Sequence, residues 1–401
     1  MPRTSALVAA SSLVIGLSAP AVAQEAKPRV ADVDWSAAST IGVSTGLEGR
    51  LKDVDKTLLP VLIPRPFFDF KSLRFIGQEL EYTASVRSTG DKRNRLGGES
   101  MSVTGTRIAV DVPGATDAEN PSVDVVLDEK SATATVKKYG VAYVITVECF
   151  AADNPRCTGE QWARDLVNSL ELVGGGKGSP ATLPAAPPAP SGLIGVAADP
   201  SFRYEAAGQL VPGTGSGVSS STIYAANIRF PIAAKPTYLN SQVYGYGGYL
   251  GQHSNAGWRD PRNYAYPWHD NFCEKRGRKT PACPSGTGHQ GVDIRPVDSA
   301  DRKHVVVAVE SGRISKVGVY SVTLSGNSGN HYNYLHMEMA KLKVRLGETV
   351  KAGQPIGLVS NDFGGESTSV HLHFEVMQNV NGRGWRHVPP YSSLLAAYKA
   401  M

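Results

Sequence analysis

Histidine is missing from the first 252 residues of this 401-residue chain, and all nine lie between His253 and His387. That absence removes the first half from consideration for histidine-based metal binding or proton transfer. Nor does the first half carry a defensible nucleophile or Gly-rich phosphate loop. Long apolar runs are also lacking: after the N-terminus none approaches the roughly 20 residues of a membrane span. No sign of charge dominates, since 41 Lys plus Arg against 36 Asp plus Glu leave +5, too little to point to nucleic acid as a partner. Cysteine is scarce, at four residues. Cys149 and Cys157 bracket a Pro-containing turn, and Cys273 and Cys283 a Gly- and Lys-rich one. Neither pair has the two-to-four-residue gap of a zinc ribbon, so two local disulfides in an oxidising compartment are expected.

What is present divides the chain. Arg3, the apolar stretch Ala6 to Leu17, and Ala21-Val22-Ala23 before Gln24 predict a cleaved signal peptide over 1–23 and a periplasmic or secreted mature protein. With 41% hydrophobic and 19% charged residues, the remainder is large enough for two cores. A Gly-rich and then Pro/Ala-rich stretch over 173–193 has the composition of a spacer. It separates an N-terminal accessory or regulatory domain, 24–172, from a C-terminal domain, 194–401. Residues 24–175 hold 18 Lys plus Arg and 22 Asp plus Glu, a balance of −4, and residues 176–401 hold 22 and 14, a balance of +8. The two halves therefore meet different surroundings or partners.

In the N-terminal half, alternating β-branched segments at Leu80–Val86, Met101–Val112, Val123–Leu127, Ala132–Val136 and Val141–Val147 predict antiparallel strands. Thr158 is placed to cap a helix through Trp162, Leu166, Val167 and Leu170 that Gly174 stops. The expectation is a strand-rich α+β domain with one helix.

The chemistry is expected in the second half. His289-Gln-Gly-Val-Asp293 and His371-Leu-His373-Phe-Glu375 bring together typical zinc ligand types. His371 and His373 would share one face of a strand about 6.6 Å apart, so both line one cleft although only one need touch a metal. His289 and Asp293 would be about 13 Å apart on a straight strand. The chain must curl between them, and Gly291 permits it. Two histidines and a carboxylate leave a fourth tetrahedral position for water, the arrangement of a catalytic zinc site.

From about Ile228 to Tyr391, some 40% of the chain, successive motifs resemble the lysostaphin-type, LytM-like zinc metalloendopeptidases, which cut peptide cross-bridges of bacterial peptidoglycan. His289-x-x-x-Asp293 corresponds to the first metal motif, Val306-Val-Ala-Val-Glu-Ser-Gly-Arg-Ile to the strand and turn that follow, and Tyr334-x-His336 to the middle motif. Val344 to Gly357 resembles the Gly-punctuated hairpin, and His371-Leu-His-Phe-Glu375 the closing motif. The resemblance implies a mainly antiparallel β domain with its site in an open groove. It implies one Zn2+ per chain held by His289, Asp293 and His373, with His336 and His371 as the catalytic pair and peptidoglycan as substrate. Tyr334, two residues before His336, is a candidate hydrogen-bond donor in the groove, and Glu375 a candidate support for a ligand. The N-terminal domain is a candidate contact for a regulatory envelope protein.

This chain departs from the pattern before His289. Tyr244-Gly-Tyr-Gly-Gly-Tyr249 stands where relatives usually have Phe-Gly-x-Arg, and an insert over about 250–288 follows, with Trp258, Trp268 and the Cys273–Cys283 pair. The insert is expected to form either a stapled groove wall or a loop over the zinc, with His269, Asp270 or Asn271 as a temporary fourth ligand. His331 is expected in a loop, and His253, His304 and His387 as surface or packing residues. The Gly-punctuated hairpin also resembles lipoyl and biotinyl carriers, but their exposed attachment lysine is missing. The rival class is a non-catalytic murein-binding or amidase-activating module of the same fold.

Overall fold

The computed structural model describes residues 25–88, 98–113, 115, 123–128, 130–178, 183, 199–241 and 261–401. The expected signal peptide, most of the spacer, His253, Trp258 and the Tyr244–Tyr249 segment lie outside the described residues. The described residues are strand-rich, with two large antiparallel sheets, three two-stranded ladders and few helices. Among the described residues no helix is long and apolar enough to cross a membrane.

The N-terminal sheet has six strands, ordered Arg74–Gly77, Glu81–Ser88, Glu99–Thr106, Val141–Cys149, Ser131–Lys138 and Asp124–Leu127. Strand alternation puts Tyr143, Ile145 and Val147 on one face with Met101, Val103 and Ala134, which form a buried core. The expected Met101–Val112 strand is two elements. After Arg107 the chain leaves the sheet, and Ile108–Asp111 pairs instead with Lys27–Val30.

The helix expectation also needs correction. Asn154, not Thr158, is a cap: its side chain accepts from the Arg156 N–H and starts the one-turn helix Pro155–Thr158. Gly159 is extended and ends that turn, and a second helix, Gln161–Asn168, buries Ala163, Leu166 and Val167. Leu170 belongs to no helix; Leu170–Gly174 is a strand against Val61–Pro64 that buries Leu172 and Val173. Ordered structure thus runs into the stretch read as spacer. Both expected disulfides are present, Cys149–Cys157 and Cys273–Cys283.

The C-terminal sheet has nine strands built around Ser367–Asn379, which is flanked by Val292–Pro296 on one side and by His331–Leu335, Ser321–Gly326 and Gly312–Val317 on the other. Leu372, Phe374 and Val376 point into a core with Val322, Leu324, Tyr332 and Tyr334. The alternate residues His371, His373, Glu375 and Met377 therefore share the opposite face. That face meets the polar face of the N-terminal sheet. Ala142 and Val144 pack on Met377 and Trp385, Glu81 bonds His331 and Glu148 bonds Ser321. Thr83, Ser102, Thr104 and Thr135, which alternation alone would leave to solvent, are buried.

Phe374 stands between His373 and Glu375 and stacks on Tyr332 with ring centroids 6.1 Å apart. Phe374→Ala should lower stability by about 3–5 kcal/mol through the cavity it leaves, measured by chemical denaturation.

Candidate metal centre

Three side-chain atoms converge on the buried face. His289 Nε2 lies 2.9 Å from His373 Nδ1, His373 Nδ1 lies 3.0 Å from Asp293 Oδ1, and His289 Nε2 lies 3.4 Å from Asp293 Oδ1. The sheet supplies two of the three, because Asp293 and His373 are direct cross-strand partners. His289 arrives from the bend before the strand. Gly291 makes the bend fit through space, not through an unusual backbone angle: an added Cβ there would lie 2.6 Å from His373 Nε2 and 2.7 Å from the Phe374 carbonyl oxygen. The backbone on the other side is held by Cys273, whose N–H donates to the His289 carbonyl.

The donor set fits a tetrahedral zinc ion. Ligands about 2.0–2.1 Å from such an ion are separated by about 3.3 Å, and the three atoms are 2.9–3.4 Å apart. The remaining atoms leave those three available. His289 Nδ1 is 2.9 Å from the Asn271 carbonyl oxygen and His373 Nε2 is 3.0 Å from Glu375 Oε1, so each ring donates outward and presents its other nitrogen inward. The electrostatics also favour a cation. Burial alone would raise Asp293, but the charges and hydrogen bonds of His289 and His371 outweigh it and hold the carboxyl well below its usual range. Burial would lower His373, yet Asp293 and Glu375 raise it well above the usual histidine value.

His371 and His336 border this group. His371 Nε2 is 3.4 Å from Asp293 Oδ1, and its Nδ1 donates to the Ser369 carbonyl at 2.8 Å. The His336 ring is 4.7 Å from that of His371, with Nδ1 3.1 Å from the Asp362 carbonyl oxygen. Burial pushes His336 well below the usual histidine range, and the neighbouring His371 and His373 push it further, so its ring is neutral at pH 7.

Tyr334 is not beside His336. Its strand ends at Leu335, His336 takes a left-handed φ of 64°, and the expected shared facing is lost. Tyr334 points into the core, where its hydroxyl accepts from the Val309 N–H at 3.0 Å. Glu375 does sit against a candidate ligand, and its other oxygen accepts from Asn333 at 2.6 Å and faces His387 at 3.4 Å. His387 is thus buried in the network, and His331 begins a strand, buried, with Glu81 at 2.9 Å. His304 pairs with Asp298.

None of the three candidate fourth ligands turns its side chain to the centre. His269 faces the Gln209 backbone and is lowered by burial. Asp270 accepts from the Gly208 and Phe272 N–H groups, and burial raises it to about 6. Asn271 is instead a positioning residue: its side chain accepts from the Asp293 N–H and donates to the Asp293 carbonyl, while its own carbonyl meets His289. Sequence reasoning missed that role, since an Asn inside an insert carries no spacing signal. The expected open groove is likewise not seen. His289, Asp293, His336, His371 and His373 are each only 3–4% exposed; Arg276 of the insert lies 3.6 Å from Asp293 Oδ2, and the N-terminal sheet packs on the same face further along, at Met377.

Comparison with known proteins shows what this region is similar to. Residues 287–384 match the model of Peptidase family M23. Glycyl-glycine endopeptidase ALE-1 of Staphylococcus capitis is 32% identical over 123 residues, which cover 29% of this chain and 32% of that protein. Lysostaphin of Staphylococcus simulans is 35% identical over 100 residues, 24% of this chain and 19% of that one. The chain thus spans about a third or less of the length of these curated relatives. The solved catalytic domain of lysostaphin is 27% identical, with 36% of this chain and 99% of that chain covered and a TM-score of 0.25.

Tyr334→Phe would leave the Val309 N–H buried without an acceptor. It should cost about 1–3 kcal/mol in a denaturant melt and leave zinc affinity unchanged within twofold.

Proposed function

We propose that this chain is an exported zinc metalloendopeptidase that hydrolyses peptide cross-links or stem peptides of bacterial peptidoglycan. The observation that carries the reading is the convergence of His289 Nε2, Asp293 Oδ1 and His373 Nδ1, with two further histidines beside it. In this reading those three residues hold one Zn2+, and His336 and His371 act on the substrate. Zinc, when bound, supplies a Lewis acid for the scissile carbonyl and brings the pKa of a bound water near 7. His336, neutral and with Nδ1 turned to Asp362, presents Nε2 as a proton acceptor. His371, with Nδ1 turned to Ser369, presents Nε2 to the same space, where it can hold a proton for the leaving amine or steady a developing oxyanion. ALE-1 by its name cuts glycyl-glycine bonds; the bond cut here is a peptide bond of murein whose residues the experiment names.

The mature protein is read as periplasmic or secreted after loss of residues 1–23. The N-terminal domain, 24–172, joins the peptidase domain, 194–401, through the spacer and restrains it. The rival reading, a murein-binding or amidase-activating module without catalysis, is disfavoured because all five site positions keep their residues.

The test is mass spectrometry of cross-linked murein incubated with the zinc-loaded full chain, with and without chelator. Monomeric muropeptides should appear, slowly because the site is buried, and chelator should stop them. His373→Ala should lose both the metal, read by elemental analysis, and cleavage. His371→Ala should keep one zinc per chain and lose about 100-fold or more in turnover. Retention of zinc by His373→Ala would overturn the ligand assignment. Binding of murein without cleavage by any form would favour the rival.

A further inference from the structure

One residue that reaches across the buried face is Glu148, on the Val141–Cys149 strand of the N-terminal sheet. The residue is 1% exposed, and its carboxylate meets three donors, all from the hairpin formed by Gly312–Val317 and Ser321–Gly326. Oε1 accepts from the Tyr320 N–H at 2.6 Å, and Oε2 accepts from the Ser321 hydroxyl at 2.7 Å and from Lys316 Nζ at 3.1 Å. Gly318 completes the receptacle, since an added Cβ would lie 2.2 Å from Glu148 Oε2. One ammonium, one hydroxyl and one backbone amide around a space shaped for two oxygens is a carboxylate receptor.

Its position relates it to the metal centre. Ser321 is the cross-strand partner of Leu335, and Leu335 of His373. Two strand spacings separate Ser321 from His373, about 10 Å. The Tyr320 ring also lies parallel to that of His336, 11° apart with centroids at 6.1 Å. An extended peptide advances about 3.3 Å per residue, so a chain with its scissile bond at the centre places a group about three residues away in this receptacle.

The surroundings of Glu148 are polar. Thr133, Thr146 and Ser321 surround it, whereas the apolar contacts between the halves lie elsewhere, Ala142 and Val144 against Met377 and Trp385 and Val110 and Val112 within the C-terminal core. Between the sheets lies a polar cavity lined by Thr133, Thr146, Gln290, Asn333, Glu375 and His387.

We propose that Lys316, Ser321 and the Tyr320 N–H form a carboxylate-binding subsite of the groove, and that Glu148 fills it as an internal stand-in for a carboxylate of the peptide substrate. This rests on the hydrolase reading for the identity of the substrate, and it names that substrate more closely: a peptide with a free carboxylate about three residues from the bond cut. Productive binding then requires the N-terminal sheet to withdraw Glu148.

The test uses the zinc-loaded full chain and two probes, a cross-linked muropeptide dimer and the same dimer with its carboxylates converted to amides. Binding is measured by calorimetry and cleavage by mass spectrometry. Glu148→Gln should cleave the carboxylate dimer at least about tenfold faster than the unsubstituted chain and bind it at least about tenfold more tightly than the amide, the scale of one charge-assisted hydrogen bond. Adding Lys316→Met should erase that preference. Equal binding of both dimers by Glu148→Gln, or a preference that survives Lys316→Met, overturns the proposal. Preference without cleavage would sink the hydrolase reading and leave the subsite standing; cleavage without preference would do the reverse. If circular dichroism shows Glu148→Gln unfolded, Ser321→Ala replaces it. Its carboxylate-to-amide binding ratio should fall about threefold, and an unchanged ratio overturns the proposal.

Discussion

A carboxylate buried between imidazoles must be met by positive charge, and the C-terminal half of this protein is arranged around that requirement at Asp293. The cross-strand pairing of Asp293 with His373 sets the spacing, and the missing side chain of Gly291 lets His289 close on both. Asn271 fixes two of the three groups at once by holding the Asp293 backbone and the His289 ring. Behind His373, Glu375 is itself held by Asn333 and His387. Each of these partners limits one degree of freedom of a candidate ligand atom, and the core beneath, Phe374 between two tyrosines, keeps the strand from shifting.

The residue types of this centre were legible because they are rare and their spacing is restrictive. His-x-x-x-Asp and His-x-His occur once each among nine histidines, and strand periodicity puts His371 and His373 on one face. Tyr334 was misread for the same reason in reverse. A period of two holds only while the strand continues, and His336 lies just past its end with a left-handed backbone. Leu170 shows a related limit, since its spacing suits a helix that the Val61–Pro64 ladder outcompetes. Asn271 and Ser321 carry no signature, because an amide or hydroxyl acquires its role only from the partner that folding brings to it.

The cover over the site was illegible for a different reason. A strand whose alternate residues are Thr, Ser and Glu reads the same whether that face meets water or another polar sheet. Charge held a clue. The acidic balance of the first half and the basic balance of the second face each other here: Glu81 meets His331, Glu148 meets Lys316, Asp128 meets Arg278 and Glu160 meets Lys279. Lys130 with Glu366 runs the other way. What looked like two halves suited to different surroundings is in large part a pair of surfaces suited to each other.

Glu148 and the groove it enters belong to one chain, and that covalent connection sets the terms of competition. A tethered group presents itself at an effective concentration that reaches the millimolar range. A dilute soluble peptide offering a single carboxylate cannot match it. A polymer with many such groups along adjacent strands can, because once one contact forms the next are equally local. On the proposed reading, an intact meshwork displaces Glu148 more readily than its own soluble fragments do.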